Sequence, residues 1–194
     1  MSGGEGAHWR HLHRLANSEF DFRIRQILPE YWTAATPCEE WDVHDLVEHV
    51  VRESLWVPAI LESRPRAETE AALSGDLLEG DPADVWEFAH RAAIEAFEGF
   101  DLDREVALDA GSTTGLEFLR QRVADLTVHA WDLARTLTVD EDLDPALVAA
   151  VHDWALPRFT GAGPRPDLFY PPIGSAPDTS PRDRLLHLFG RDPA

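Results

Sequence analysis

The stretch from Leu116 to Leu137 constrains this chain more than any other part of it. Leu116, Leu119, Val123, Leu126, Ala130, Leu133 and Leu137 recur at spacings of three and four, which is the repeat of one face of an α-helix. A helix of that length with an unbroken apolar stripe has to bury it against other helices. Beside the stripe runs a second row, Phe118, Arg122, Asp125, His129 and Asp132. A charged row flanking a core row is where a half-buried polar pocket would sit inside a bundle.

Other segments carry the same period. One runs from about His8 to Tyr31, with Leu12, Leu15, Ile24, Ile27, Leu28 and Tyr31 as its core face. Thr36-Pro37 ends it, because the residue before a proline is pushed out of helical space. Asp42 reads as an N-cap with Asp45 at the third helical position, a start resembling a capping box. The helix it opens runs to about Leu61 on Val43, Leu46, Val47, Val50 and Ile60, with Pro58 kinking or shortening its last turns. Residues 62–80 read as a loop. Asp81-Pro82 pairs a cap with proline at the first helical position and opens a helix through Val85, Phe88, Ala89, Ala92 and Ala96 to about Phe97. The turn-rich stretch 101–114 contains one candidate strand, Glu105–Leu108. A further helix over Pro145–Phe159 takes Asp144 as cap, and in the proline-rich remainder only Arg182–Phe189 looks helical. The expectation is an all-α four-helix bundle with an additional C-terminal helix and an extended proline-rich tail. It forms a single domain over 1–194, with a helical core at about 8–160 and residues 161–194 packed on it.

Charge narrows the function classes. The chain carries a formal net charge of −19, all 17 of its basic residues are arginine, and none of them cluster. A polyanion needs clustered cations, so nucleic acid is excluded as a partner, and anionic membrane surfaces are repelled. No run approaches the ~20 apolar residues of a membrane span. The opening Met-Ser-Gly-Gly-Glu-Gly lacks the regions of a signal peptide. A cytoplasmic protein is expected. The single cysteine, Cys38, rules out an internal disulfide and a cysteine-based zinc cluster, so a metal site would be built from His, Asp and Glu.

Two phrases supply those groups, Asp45-Leu-Val-Glu-His49 and Asp125-Leu-Thr-Val-His129. Each sets an acid four residues before a histidine, on one helix face. Packed side by side, the two helices would converge oxygen and nitrogen donors on one point, as bundles do at metal sites. A divalent ion on three protein ligands with an open position activates water or a thiol. His49, flanked by Asp45 and Glu53, and the pair Asp125 and His129 are the candidates. Asp45 is better explained as a cap. The bland alternative is two ordinary helix faces, each stabilised by its own Asp–His pair. His8, His11 and His13 lie near the start and are expected to be solvated, His44 exposed, and His90 and His152 at the surface or its boundary. Cys38 reads as a small buried residue in a turn rather than a nucleophile. Trp56, two turns from His49, is the candidate pocket wall. Arg135, two turns after His129, would either hold a substrate carboxylate or fall outside the bundle.

Thr36-Pro-Cys-Glu-Glu-Trp-Asp-Val-His-Asp-Leu-Val-Glu-His49, Asp125-Leu-Thr-Val-His-Ala-Trp-Asp-Leu-Ala-Arg135 and Asp183-Arg-Leu-Leu-His-Leu-Phe-Gly-Arg-Asp-Pro193 occur in that order. Together they resemble the actinobacterial family related to the N-terminal domain of mycothiol-dependent maleylpyruvate isomerase. That family belongs to the DinB/YfiT-like superfamily, whose members are held to be metalloenzymes. The resemblance spans nearly the whole chain. It implies a bundle holding one divalent ion, zinc or nickel, at one end through His49, Asp125 and His129, with mycothiol as co-substrate and a small electrophile as its partner. Two departures matter: the isomerase has glutamate where this chain has Asp125, and it carries a C-terminal domain without counterpart in these residues. Maleylpyruvate itself is therefore not implied. The leading expectation is a metal-dependent enzyme that uses a mycothiol-like thiol for transfer to, or isomerisation of, a small electrophile. A non-enzymatic metal-binding or ligand-sensing bundle, and an interaction protein that has lost the metal, stand as alternatives. A homodimer is left open.

Overall fold

A computed structural model describes residues 2–109, 111–160 and 170–194. Four long helices form the bundle: α1 (Ser2–Ile24), α2 (Val43–Leu61), α4 (Pro82–Gly99) and α5 (Gly115–Leu137). Short α3 (Arg66–Ala72) lies between α2 and α4, and the hairpin β1 (Glu105–Leu108) and β2 (Gly111–Thr114) leads into α5. Beyond it come α6 (Pro145–Thr160) and α7 (Pro181–Leu188). Round the bundle the order is α1, α5, α2, α4, so α1 stands diagonal to α2 and α4 to α5, while α2 neighbours both α4 and α5. α6 packs on α5 and α1, and α7 on α6. No helix among the described residues is long and apolar enough to cross a membrane.

The starts follow local chemistry. The Asp42 side chain accepts from the Asp45 backbone N–H at 3.0 Å, and the Asp45 carboxylate accepts from the Asp42 N–H at 3.2 Å, a reciprocal capping box. Asp81 caps α4 ahead of Pro82, and Thr114 caps α5. Ser180 caps α7 ahead of Pro181. Pro58 sits inside α2 without ending it. Where sequence and structure part, the cause is local. The first helix starts at Ser2 rather than His8 and stops at Ile24 rather than Tyr31, because Pro29 forces Leu28 into an extended conformation (φ −84°, ψ 156°). Pro29–Tyr31 is a separate 3-10 turn, and Leu28 is 52% exposed rather than core. The loop read over 62–80 contains α3, whose single buried residue is Thr69. β1 pairs antiparallel with β2, a strand absent from the sequence reading.

The core row of α5 is buried as its period demands. Leu119, Val123, Leu126, Ala130, Leu133 and Leu137 are inaccessible or nearly so, packed with Leu12, Ala16 and Phe20 of α1, Val47 and Val50 of α2 and Trp86 and Ala89 of α4. Full burial of one such aliphatic or aromatic side chain contributes about 1.5–3 kcal/mol. That fixes the rotation of α5, and with it the direction of the polar row alongside. Most of the expected tail, residues 170–194, is described and packs through α7, whose Leu185, Leu186 and Leu188 are buried. Its first part, 161–169, lies outside the described residues.

Candidate metal centre

The polar row at the middle of α5 meets the second turn of α2. Asp125 Oδ1 lies 3.4 Å from His129 Nε2 on its own helix and 3.6 Å from His49 Nε2 across the interface. The two imidazole rings stand edge to face with centroids 5.1 Å apart. Side-chain exposure falls from 29% at His49 to 13% at Asp125 and 6% at His129, so the cluster opens to solvent on the α2 side. The structure thus brings His49, Asp125 and His129 together, while Asp45 stays at the helix start as a cap.

Around these three stand groups the sequence reading did not assign. Trp41, just ahead of the α2 cap, tilts over both imidazoles, 4.8 Å from His49 and 6.0 Å from His129 by centroid. Trp56, the residue chosen as pocket wall, instead lies under the Arg66 guanidinium at 5.6 Å. Arg122, one turn before Asp125, points its Nη1 at Asp125 Oδ2 (3.1 Å) and Glu53 Oε2 (3.2 Å). Behind His129, Asp132 Oδ2 approaches Nδ1 at 3.0 Å. Asp132 in turn accepts two hydrogen bonds from Arg191 of the tail, and Cys38 donates to it at 3.3 Å. Cys38 is buried, as expected of it. Arg135 does not face the cluster: it pairs with Glu141 at 3.1 Å, donates to the Pro193 carbonyl and covers the Trp131 ring. Trp41 and Arg191 carry no periodicity that ties them to the site, since a loop and a distant tail bring them there. Asp132 and Arg122 were legible as members of the polar row.

Electrostatics hold the cluster in a defined state. Burial alone would raise the Asp125 carboxyl, but the charges of Arg122 and His129 and the hydrogen bonds from both imidazoles keep it well below the usual carboxylate range. Burial works against a charged His129, yet Asp125 and then Asp132 outweigh it and raise its imidazole well above the ordinary histidine value. Asp132 is likewise lowered, its burial overcome by His129 and Arg191. Elsewhere the N-terminal histidines divide. His8 and His11 are exposed as expected, but His13 is buried at 2% exposure, because α1 is already helical there and sets its ring edge-on to Phe97 at 5.1 Å.

Comparison with known proteins adds to this geometry. Residues 13–134 match the model of the mycothiol maleylpyruvate isomerase N-terminal domain. The chain belongs to that family. The matched span runs from α1 into α5 and includes His49, Asp125 and His129, while Arg191 lies outside it. Among similar proteins are uncharacterized proteins from two strains of Mycobacterium tuberculosis, each 29% identical over 192 residues, covering 92% of this chain and 95% of the relative. Crystal structures of mycothiol-dependent maleylpyruvate isomerase and of a histidine-to-alanine mutant of it superpose with TM-scores of 0.60 and 0.62 at 16% and 13% identity. Each covers 77% of this chain and 69% of the isomerase, so the family fold, a DinB-like helical bundle, is shared.

Proposed function

We propose that this member of the family binds one divalent metal ion, zinc or nickel, through His49, Asp125 and His129. With it the protein uses a low-molecular-weight thiol, mycothiol or a close analogue, for transfer to or isomerisation of a small electrophile. The observation that carries the reading is the donor set. Three groups of the right type for a borderline cation converge from two helices, with Asp125 Oδ1 3.4 and 3.6 Å from the two imidazole Nε2 atoms. Ligands bonded at about 2.1 Å in a tetrahedron are about 3.4 Å apart. Asp125 Oδ2 is turned to Arg122 Nη1 at 3.1 Å, which leaves Oδ1, the oxygen nearer both imidazoles, for a cation. Family membership supports the thiol, since the solved relatives are mycothiol-dependent isomerases.

When bound, such an ion supplies Lewis acidity that favours the thiolate form of the co-substrate. The chain's residues do the rest. His49, the most exposed of the three, borders the open side. Trp41 gives that side an apolar wall, which excludes water from an approaching sulfur and strengthens the local electrostatics. Arg122 balances the Asp125 carboxylate and keeps it ionised as a ligand must be. The test is elemental analysis of the purified protein together with mycothiol-dependent turnover of a panel of small electrophiles. One equivalent of metal and thiol-dependent turnover that both disappear in His129→Ala, with helical content retained, is the expected result. Full metal occupancy in His129→Ala would contradict the ligand assignment. Metal without thiol-dependent turnover would leave a metal-binding bundle and contradict the enzymatic reading.

A further inference from the structure

We infer that Arg191 and Asp132 form a positioning relay for His129, which makes the C-terminal tail a working part of the site. The inference rests on the reading of His129 as a metal ligand and adds the residues that aim it.

Asp132 is wholly buried and Arg191 nearly so, at 0% and 3% side-chain exposure. Arg191 donates from Nε to Oδ1 at 3.0 Å and from Nη2 to Oδ2 at 2.8 Å, a two-point fork that fixes the plane of the carboxylate. That plane sets Oδ2 3.0 Å from His129 Nδ1. A histidine whose Nδ1 donates to a carboxylate has its ring orientation fixed and its Nε2 lone pair free for a cation. In this chain Nε2 is the nitrogen that faces Asp125, 3.4 Å away.

Stability alone is a poor account of the pair. Burying a carboxylate and a guanidinium carries a desolvation penalty of several kcal/mol per ion, and apolar replacements of similar volume often do as well or better. The donors Cys38, His129 and Asp132 are also close enough to hold an ion themselves. Arg191 Nη2 already stands there, 3.1 Å from Cys38 Sγ and 2.8 Å from Asp132 Oδ2, so a fixed guanidinium takes the place of a second cation. The tail is shaped to deliver it. Gly190 turns at φ +74°, the Arg191 N–H donates to Leu186 O at 2.9 Å, and its guanidinium lies over Tyr170 at 5.2 Å. Arg135 donates to the Pro193 carbonyl and anchors the last residues, which is the use the fold makes of that arginine.

Charge and positioning predict opposite signs, and that decides the test. Removing a cation beside a cation site strengthens metal binding if Arg191 acts only through its charge, and weakens it if Arg191 aims Asp132. Zinc affinity is measured on the full chain by competition with a chromogenic chelator at one neutral pH, for wild type, Arg191→Ala, Arg191→Lys and Asp132→Asn, with helical content monitored. The expected result is a loss of roughly ten- to a hundred-fold in Arg191→Ala and Asp132→Asn, the range for residues that orient metal ligands. Arg191→Lys keeps the charge but not the fork, and is expected to fall between these variants and wild type. Folded Arg191→Ala binding zinc as tightly as wild type, or more tightly, overturns the relay. If Arg191→Ala does not fold, unchanged affinity in Asp132→Asn and Arg191→Lys does the same. A purely structural role would lower the melting temperature of the zinc-free variants and leave zinc affinity unmoved, which also overturns it. Wild-type protein that binds no zinc removes the ligand reading and the relay together, an outcome distinct from tight wild-type binding that the variants leave unchanged.

Discussion

His13 shows how a single side chain links burial to acid sensitivity. Its burial, reinforced by the nearby Arg122 charge, pushes the imidazole from 6.5 down to about 3, so it is neutral in the fold and protonates only when the chain opens. Below pH 6.5 the unfolded chain therefore binds a proton that the folded chain does not. Stability is unaffected by this residue above that value and falls on acidification by about 1.4 kcal/mol per pH unit until the folded value is reached. Replacing His13 with Leu removes that proton. In denaturant titrations between about pH 6 and pH 4, below the reference histidine value, the variant is expected to lose stability less steeply than wild type, by a slope of about one proton. Equal slopes would mean that His13 titrates in the fold as an ordinary histidine. At the site itself, Asp125→Asn keeps the shape of the side chain and removes its charge. It is expected to weaken metal binding at least ten-fold, in the range set by loss of a group that supports the ion, as measured by chelator competition. Unchanged affinity would place the ion elsewhere.

α5 carries both the core and the site, and its two rows divide the labour. Leu126→Ala, at a buried position of the apolar row, is expected to lose 2–5 kcal/mol of unfolding free energy, about the cost of such a truncation. It should leave metal stoichiometry intact, because the polar row lies alongside rather than beneath it. Denaturant unfolding and elemental analysis on one preparation check both. The tail is a separate test. A Cβ on Gly190 would meet Tyr170 Cβ at 2.5 Å and the Pro171 carbonyl at 2.8 Å, on a residue already at φ +74°. Gly190→Ala should therefore loosen the tail first, seen as faster limited proteolysis within 170–194 while α1 to α5 stay protected. These elements also mark what the sequence disclosed. α5 was legible to within a residue because its stripe is long, and α2 and α4 because caps and prolines punctuate them. α3 was not legible, since an isolated short helix with one buried residue shows no periodic face. The end of the first helix was lost because Ile27, Leu28 and Tyr31 continue its apolar period past Ile24. His49, Asp125 and His129 were readable as two helix faces. Trp41 and Arg191 were not, since only tertiary packing brings a loop and the last turn of the chain against them.

At the scale of the whole molecule, a bound ion ties α2 to α5, which in the bundle are neighbours on adjacent sides. An ion that binds the folded chain and not the unfolded one adds about 2.7 kcal/mol when it is present at a hundred times its dissociation constant. Chelation should lower the melting temperature accordingly, and less so where protons compete with the ion for His129, whose imidazole is held well above the ordinary histidine value by Asp125 and Asp132 despite its burial. As the pH falls through the raised range of His129, beginning above the reference histidine value of about 6.5, the difference between metal-loaded and chelated protein should shrink toward zero. A difference that stays constant across that range would argue against histidine ligands. The central claim, one ion held between α2 and α5, is tested most directly by anomalous diffraction from crystals of the zinc-loaded protein. The account predicts a single strong anomalous peak per chain within bonding distance of His49 Nε2, His129 Nε2 and Asp125, with Arg191 still forked on Asp132 behind it. A peak between Cys38 and Asp132, or no peak in protein shown to have been saturated with zinc, would contradict it.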